Sequence, residues 1–514
     1  MADTQNSDEV VFTLQPQAGI KRDGTLLEGE FCSDGQWVRF QRGKARKMGG
    51  YRRITASLSG PIRKLLVWSR TSLNIVTSFS SSVVESLLMD NNMVGNDIID
   101  RTPVGFAASD QNLWTSDVMY DAAVGSQSAI VLAHCNQSMR NIDDATASKP
   151  YWATTSGTST KFVTLTDCPA VSGGIMALGP YAVVFGSDGI VSWSDVNQPQ
   201  VWSTSTNPGD AGTSRVTGSK IVAGLPLRAG ALAGVLWTLD SVLRMDYVGG
   251  QAVFKFATLS TQSSILASNS VIEYDGVYFW IGVDRFMYFD SAVKELPNDL
   301  NQNWFFDNLN FAQRQKIWVT KVPRYGEVVW HYPRGDSTEC NATIIFNTRL
   351  KTWYDNSVSR SAGFYSQVLS YPLWTDSLPT TEGGYGLYQH EVGTDAVVGD
   401  TAEAIYSSYT TQNFGYPTGS VGDSVQGMNR WTRLTRVEPD FVQSGDMTCS
   451  IIGYDYAQSG THSETSYTFT PTTGRIDMRE QERHILLKFE SNQVGGDYQA
   501  GKVIIHIEPG DNRL

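Results

Sequence analysis

The feature that most restricts this chain is a series of apolar runs that fold back on themselves around short polar turns. The clearest lies between Gly276 and Asp290. There Val277, Phe279 and Ile281 alternate with Tyr278 and Trp280, and Gly282-Val283-Asp284-Arg285 then turns the chain into Phe286-Met287-Tyr288-Phe289. A run of β-branched and aromatic residues, a polar turn and a second such run predict a β-hairpin. Similar pairs run from Leu65 to Phe79 turning near Arg70, Ile130 to Met139 near Asn136, and Tyr181 to Trp193 near Ser187-Asp188-Gly189. Two more run from Leu232 to Tyr247 at Asp240-Ser241 and from Val328 to Trp353 around Arg334-Gly335-Asp336. From the second turn onward they fall near 136, 188, 240, 284 and 336, which is 44 to 52 residues apart, whereas the first interval, from 70 to 136, is longer. A four-stranded propeller blade takes about 40 to 50 residues. No identical motif repeats with this period, and a sandwich or two stacked sheets would space hairpins in the same way. The all-β class follows in either case, and a β-propeller of about six blades is the expected architecture.

The organisation around that series follows from where its period breaks. Leu378-Pro379-Thr380-Thr381-Glu382-Gly383-Gly384 carries turn residues and no alternation, so it predicts a domain boundary. Beyond it, Thr432 to Phe441, Met447 to Tyr454, Ser466 to Phe469, His484 to Glu490 and Lys502 to Ile507 predict the strands of a small β-sandwich. The expected layout is an N-terminal arm over 1–60, a propeller over 61–378 and a C-terminal β-sandwich-like platform over 379–514. Leu300 to Arg314 is the one stretch with some helical character, and its apolar stripe is irregular.

Composition narrows the function classes. With 41% hydrophobic residues, 11% aromatics and only 18% charge, the 514 residues describe a folded, turn-rich chain with ample core. A formal net charge of -12 argues against a general nucleic-acid binder, which needs Lys and Arg spread over much of its surface. The five cysteines, Cys32, Cys135, Cys168, Cys340 and Cys449, are scattered and odd in number, unlike a disulfide framework, which predicts folding in a reducing compartment. The acidic, polar first residues lack the basic stretch and apolar run of a secretory signal. Ala229 to Leu239, fenced by Arg228 and Asp240, is far shorter than the ~20 residues that cross a bilayer.

Catalytic patterns are absent. The six histidines and five cysteines never take a zinc-ligand spacing, and neighbouring His134 and Cys135 would point to opposite faces of a strand. The chain has no Gly-x-Gly-x-x-Gly, no Gly-x-x-x-x-Gly-Lys-Ser/Thr and no Gly-x-Ser-x-Gly, so phosphate cradles and a nucleophile elbow are not indicated. Propellers do host glycosidases, which use two carboxylates about 5 to 9.5 Å apart, but 52 Asp and Glu make chance pairs certain. The Asp box of sialidases has only a distant echo in Ser192-Trp193-Ser194-Asp195 followed by Trp202. Trp280, Trp304, Trp318, Trp330, Trp353 and Trp374 read as core side chains between sheets, with a sugar platform as the other use of such residues. The expectation is a protein without enzymatic activity, metal or cofactor.

One segment stands out chemically. Gln36 to Lys64 holds Arg39, Arg42, Lys44, Arg46, Lys47, Arg52, Arg53, Arg63 and Lys64 with no acidic residue. It reads either as a solvated basic loop or as a patch facing DNA or an acidic neighbour, where guanidinium forks and ammonium charges bind phosphates or carboxylates. Arg39, Arg42, Lys44, Arg46, Lys47, Arg52 and Arg53 are the candidate contacts. The interleaved Trp37, Phe40 and Tyr51 suit anchoring of the segment onto a sheet better than base stacking.

Several stretches together resemble the packaged-DNA stabilisation, or tail nozzle, proteins of short-tailed bacteriophages. The most specific is Ala18-Gly19-Ile20-Lys21-Arg22-Asp23-Gly24-Thr25, then Asp34-Gly35-Gln36-Trp37-Val38-Arg39-Phe40-Gln41-Arg42-Gly43, then Gly49-Gly50-Tyr51. Asp100-Arg101-Thr102-Pro103, Trp193-Ser194-Asp195 with Trp202, Gly218-Ser219-Lys220-Ile221, Trp237-Thr238 and Met245-Asp246-Tyr247 follow in the family's order. His390-Glu391-Val392-Gly393, Phe489-Glu490-Ser491-Asn492 and Pro509-Gly510-Asp511-Asn512-Arg513 resemble its terminal β domain. The resemblance implies a virion protein, assembled in the host cytoplasm, that forms a hexameric ring below the portal and the head-to-tail adaptor ring. It further implies docking of tail fibres or spikes outside, and a channel that retains genomic double-stranded DNA and later conducts it without sequence preference. The basic segment is then expected to grip the adaptor ring. The competing reading is a glycan-binding or glycan-cleaving propeller of a tail fibre, and a bacterial surface or periplasmic propeller comes third.

Overall fold

A computed structural model describes residues 9–510 apart from 26, 29, 71–72, 91–92, 125–128, 137–146, 156–159, 204–208, 229–231, 366–368, 370, 416–430 and 457–458. Six consecutive four-stranded antiparallel sheets span 62–100, 113–164, 174–215, 221–260, 272–295 and 318–356. Each is a simple meander. A seventh is built from Arg360–Phe364, Leu373–Asp376 and Tyr385–His390, and its fourth strand is Tyr51–Leu58, from the other end of the chain. The first strands of these sheets lie side by side, and Ile62–Arg70 of blade 1 touches both Leu113–Tyr120 of blade 2 and Arg360–Phe364 of blade 7. The ring closes, and the fold is a seven-bladed β-propeller.

Why the runs are apolar on both faces follows from this packing. Adjacent residues of a strand point to opposite sides, and in a propeller both sides meet another blade. In blade 4, Val235 and Trp237 pack toward blade 5 while Leu236 packs toward blade 3. In blade 5, Tyr278 and Trp280 face blade 4, whereas Phe279 and Ile281 face blade 6. The indole N–H groups are used as pins: Trp114 donates to the Ser80 carbonyl of blade 1 at 2.8 Å and Trp318 to the Arg360 carbonyl of blade 7 at 3.0 Å. Trp280, Trp318, Trp330, Trp353 and Trp374 are all buried in these interfaces. Five of the six tryptophans whose other use would be a sugar platform are therefore core side chains.

The expected count of about six blades is one short, for a physical reason. The recurrent turns join the second and third strands of a blade, but the turn near Arg70 joins the first and second, Ile62–Arg70 and Leu73–Ser80. The equivalent turn of blade 1 lies at Ser81-Ser82, so the long first interval was a phase shift. The stretch 378–384, expected to be a domain boundary, is the same turn in blade 7, between Leu373–Asp376 and Tyr385–His390. The expected hairpin from Ile130 to Met139 is also corrected. Ala129–Asn136 is one strand, paired with Leu113–Tyr120 and Tyr151–Thr154, and the turn beyond Asn136 lies outside the described residues.

Most of the remaining described strands form a two-sheet platform. One sheet orders Ile476–Glu482, Thr432–Ser444, Asp497–Pro509, Lys44–Lys47 and Val38–Gln41, with Val10–Leu14 also paired to Asp497–Pro509. The other orders Asp34–Gln36, Ser407–Thr410, His484–Ser491, Met447–Tyr454 and Thr461–Phe469. Leu434, Val437, Ile505 and Ile507 of the first meet Tyr409, Cys449, Ile451 and Phe489 of the second in one core, which continues into Trp318, Val329 and Tyr354 of blade 6. Val10–Leu14, Asp34–Gln36, Val38–Gln41 and Lys44–Lys47 are therefore strands of the platform, while Gln17–Ile20 and Phe31–Cys32 pair with each other in a separate parallel sheet. Between blades 5 and 6 a short helix, Gln302–Asn308, is capped from outside by Asp23, whose carboxylate accepts the Asn303 and Trp304 amides at 2.8 and 2.7 Å.

The closing strand is tightly seated. A Cβ on Gly384 would run into the Ala56 carbonyl oxygen and lie 3.0 Å from the Ser57 Cα. Gly384→Ala is expected to lower stability by about 1 to 3 kcal/mol through overpacking, read as an earlier urea midpoint at unchanged slope. An unchanged midpoint would mean that the strand 51–58 tolerates displacement.

Candidate functional site: the basic segment at the joint

The seven candidate residues lie along three strands and the turn between the first two, and the fold separates them. Val38–Gln41 and Lys44–Lys47 form a tight hairpin in the platform, with Arg42 and Gly43 at its tip at φ of 52° and 79°. Arg39 sits in a mostly apolar stretch between Val38 and Phe40 and points inward, where it is 1% exposed. Its Nε and Nη2 donate to both oxygens of Glu327 at 2.9 Å, and its Nη1 and Nη2 donate to Glu391 at 2.6 Å. The guanidinium also stacks 3.6 Å from the Tyr325 ring centroid, and Tyr354 donates its hydroxyl to Glu327 at 2.6 Å. Burial pushes the Glu327 carboxyl up from the usual carboxylate range, against the pull of Arg39. This cluster joins the platform strand of Arg39 to blade 6 through Glu327 and to the loop after blade 7 through Glu391.

Lys47 is buried too and donates to the Gly496 carbonyl at 2.8 Å. Arg39 and Lys47 are thus corrected from surface contacts to internal ties: no macromolecule reaches a side chain enclosed by its own domain. Arg53 pairs with Glu382 at 2.5 Å, Arg52 donates to Gln389 at 3.1 Å, and Arg46 donates to Gln41 at 3.1 Å and lies 3.6 Å from Asp497. Arg42 is exposed and Lys44 half-buried. Among the described residues no ion pair is drawn to either, so the tip of this hairpin is where the segment keeps free positive charge. Of the further basic residues, Arg63 is held by Glu339 at 2.5 and 2.9 Å, and Lys64 turns toward the propeller axis.

The aromatic residues of the segment anchor it, as their spacing suggested. Trp37 is buried and donates its backbone N–H to the Asn356 side-chain oxygen at 3.0 Å, and Tyr51 packs edge-on against Trp37 and Tyr388. Arg22 adds a second tie to blade 6, with Asp355 at 3.0 and 3.1 Å. The carboxylate partners Glu327, Asp355 and Glu391 were not legible in the sequence, since they lie about 300 residues away from their cations. The one available signal was local: a lone arginine at an inward position between valine and phenylalanine requires a buried counter-charge.

No family profile matches the chain, and no curated protein matches it. Among solved structures it is similar to one titled "YCF48 bound to D1 peptide", at 10% identity and a TM-score of 0.39, covering 66% of this chain and 97% of that one. It is also similar to BamB from Moraxella catarrhalis, at 9% identity and a TM-score of 0.34, covering 74% of this chain and 98% of that one. The β-propeller assignment follows from the chain's own strand pairing. Among the described residues no helix is long and apolar enough to cross a membrane.

Proposed function

We propose that this protein is a structural subunit of a bacteriophage short tail, a nozzle-type ring component that attaches below the head-to-tail adaptor and retains packaged DNA. The observation that carries this reading is where the resemblance falls in the fold. Its most specific stretch, residues 18–51, is the segment that stitches platform to propeller, through Arg22 to Asp355, Trp37 to Asn356 and Arg39 to Glu327 and Glu391. The residues that carry the resemblance to the nozzle family thus include several that tie the two units together. A rigid two-part subunit suits a wall element that must bear pressure. Its net charge of -12 suits a channel wall along which DNA slides without sticking.

Under this reading six copies form the ring and tail fibres or spikes dock outside it. The free cations Arg42 and Lys44, rather than the whole basic segment, contact the acidic adaptor. Particle imaging and native mass spectrometry of the purified chain, alone and mixed with the adaptor of the phage that encodes it, test both parts. The expected result is a ring that co-migrates with the adaptor, and loss of that complex but not of the ring in Arg42→Glu/Lys44→Glu. A monomer indifferent to the adaptor overturns the reading, and if it cleaves host envelope polysaccharide the glycan propeller takes its place.

A further inference from the structure

The innermost strands of the seven blades enclose a cavity of about 400 Å³ on the propeller axis, large enough for a small organic molecule. Its wall is divided in character. Ile175, Met176, Ala223, Val319 and Phe364 give it an apolar arc. Among the described residues its charged groups are Lys64 of blade 1, Asp117 of blade 2, Glu273 of blade 5, Lys321 of blade 6 and Arg228 after the first strand of blade 4, three cations against two carboxylates.

The pairing among these groups leaves one cation over. Glu273 serves two of them: Arg228 approaches it at 3.3 Å and Lys321 at 3.5 Å, with Lys321 also donating to the Glu273 carbonyl at 2.8 Å. Lys64 has no hydrogen bond or ion pair among the described residues. Asp117 attracts it without a direct ion pair among the described residues, its carboxylate being turned to the Val118 and Ala177 amides, which it accepts at 2.8 and 2.9 Å. Burial works against both charges, lowering the affinity of Lys64 for its proton and raising that of Asp117. On the neighbouring strand, the Thr115 hydroxyl oxygen accepts the Ile175 amide at 3.2 Å, which leaves its proton to donate. The Lys64 side chain is half-buried at the cavity wall, and an entering anion gives its ammonium a charged partner there. Arg228, whose side chain is 72% exposed, marks the rim where the cavity meets solvent.

We propose that the axial cavity is a binding site for a small organic anion, a carboxylate on an apolar body, held by the Lys64 ammonium and the Thr115 hydroxyl. The apolar body lies against Ile175, Met176 and Val319. This site is independent of ring assembly and of the hairpin tip, so it stands whether or not the protein is a tail component.

Isothermal titration calorimetry of the full chain with benzoate, and with inorganic phosphate for comparison, tests it. The expected result is one saturable benzoate site per chain, weaker binding of phosphate, and at least tenfold weaker benzoate binding in Lys64→Met. Crystals of the unaltered chain soaked in 4-bromobenzoate give a second readout that needs no variant, with bromine anomalous density expected inside the ring of innermost strands. Absence of saturable benzoate binding, equal binding by Lys64→Met, tighter binding of phosphate, or bromine located elsewhere would each overturn the proposal.

Discussion

Replacing Arg39 by methionine is expected to lower the unfolding free energy by about 3 to 5 kcal/mol, the range for removing one partner of a buried ion pair. Methionine fills most of the volume, so the loss is electrostatic. Glu327 and Glu391 are left facing each other with no cation, and Glu327 is fully buried. The effect comes from the stranded carboxylates rather than from the worth of the original pair. The double variant Arg39→Met/Glu327→Gln is therefore expected to recover part of the loss. Urea unfolding of the wild type, the two single variants and the double variant measures this. A change below about 1 kcal/mol for Arg39→Met, as for an exposed pair, would show that the joint is not held by this cluster. The same measurement separates two explanations of failed tail assembly, because reversal at Arg39 disrupts the fold while reversal at Arg42 removes only surface charge.

Acidification is expected to weaken the fold as pH falls below about 6.5, through histidines buried in the neutral form. Burial lowers His134 to about 4, and two backbone carbonyls, those of Ser148 and Val171, only partly offset it. His331 and His390 are pushed well below their ordinary value of 6.5 by burial and by the neighbouring Arg360 cation. His331 lies stacked 3.9 Å from the Trp318 ring, with Trp374 edge-on, and among the described residues neither of its nitrogens has a hydrogen-bond partner. Below pH 6.5 the unfolded chain binds protons that the folded chain refuses, so stability falls as pH falls, by up to about 1.4 kcal/mol per histidine per pH unit. Lowering the pH from 6.5 to 5 then costs up to about 1.6 kcal/mol through His331. Asp117, Glu327, Asp355 and Asp376 act in the opposite sense, because burial raises their proton affinity in the folded chain. The contrast between wild type and His331→Phe isolates the histidine. Near pH 7 the two should be similar, and toward pH 5 the variant should lose less stability. Parallel pH profiles would show that His331 is protonated in the folded chain.

The all-β class and the blade period were legible because they rest on local alternation. Val277 to Ile281 declares a strand buried on both faces without reference to any other part of the chain. The platform strands from Met447 and His484 were visible for the same reason. The irregular stretch Leu300 to Arg314, read as a short helix, holds the helix Gln302–Asn308 and a 3-10 helix at Phe311–Lys316, and its N-terminal cap is Asp23, from a part of the chain that local pattern does not connect to it. The seventh blade was hidden similarly. Its outer strand is Tyr51–Leu58, and the turn that marks its period looked like a linker because turns and linkers use the same Pro, Thr and Gly.

The candidate site was legible as composition and not as geometry. Nine cations with no acid between Gln36 and Lys64 can be counted in the sequence, but their opposite charges arrive from Glu327, Glu339, Glu382 and Glu391 only once the chain has closed. What the order of residues determined by itself is a β chain with a blade-length repeat and one basic segment, since strand alternation and turn chemistry act over a few residues. Tertiary structure alone decided that Arg39 and Lys47 are buried, that Arg42 and Lys44 remain free, and that Lys64 faces an axial cavity. Burial and charge pairing depend on what is brought alongside from hundreds of residues away.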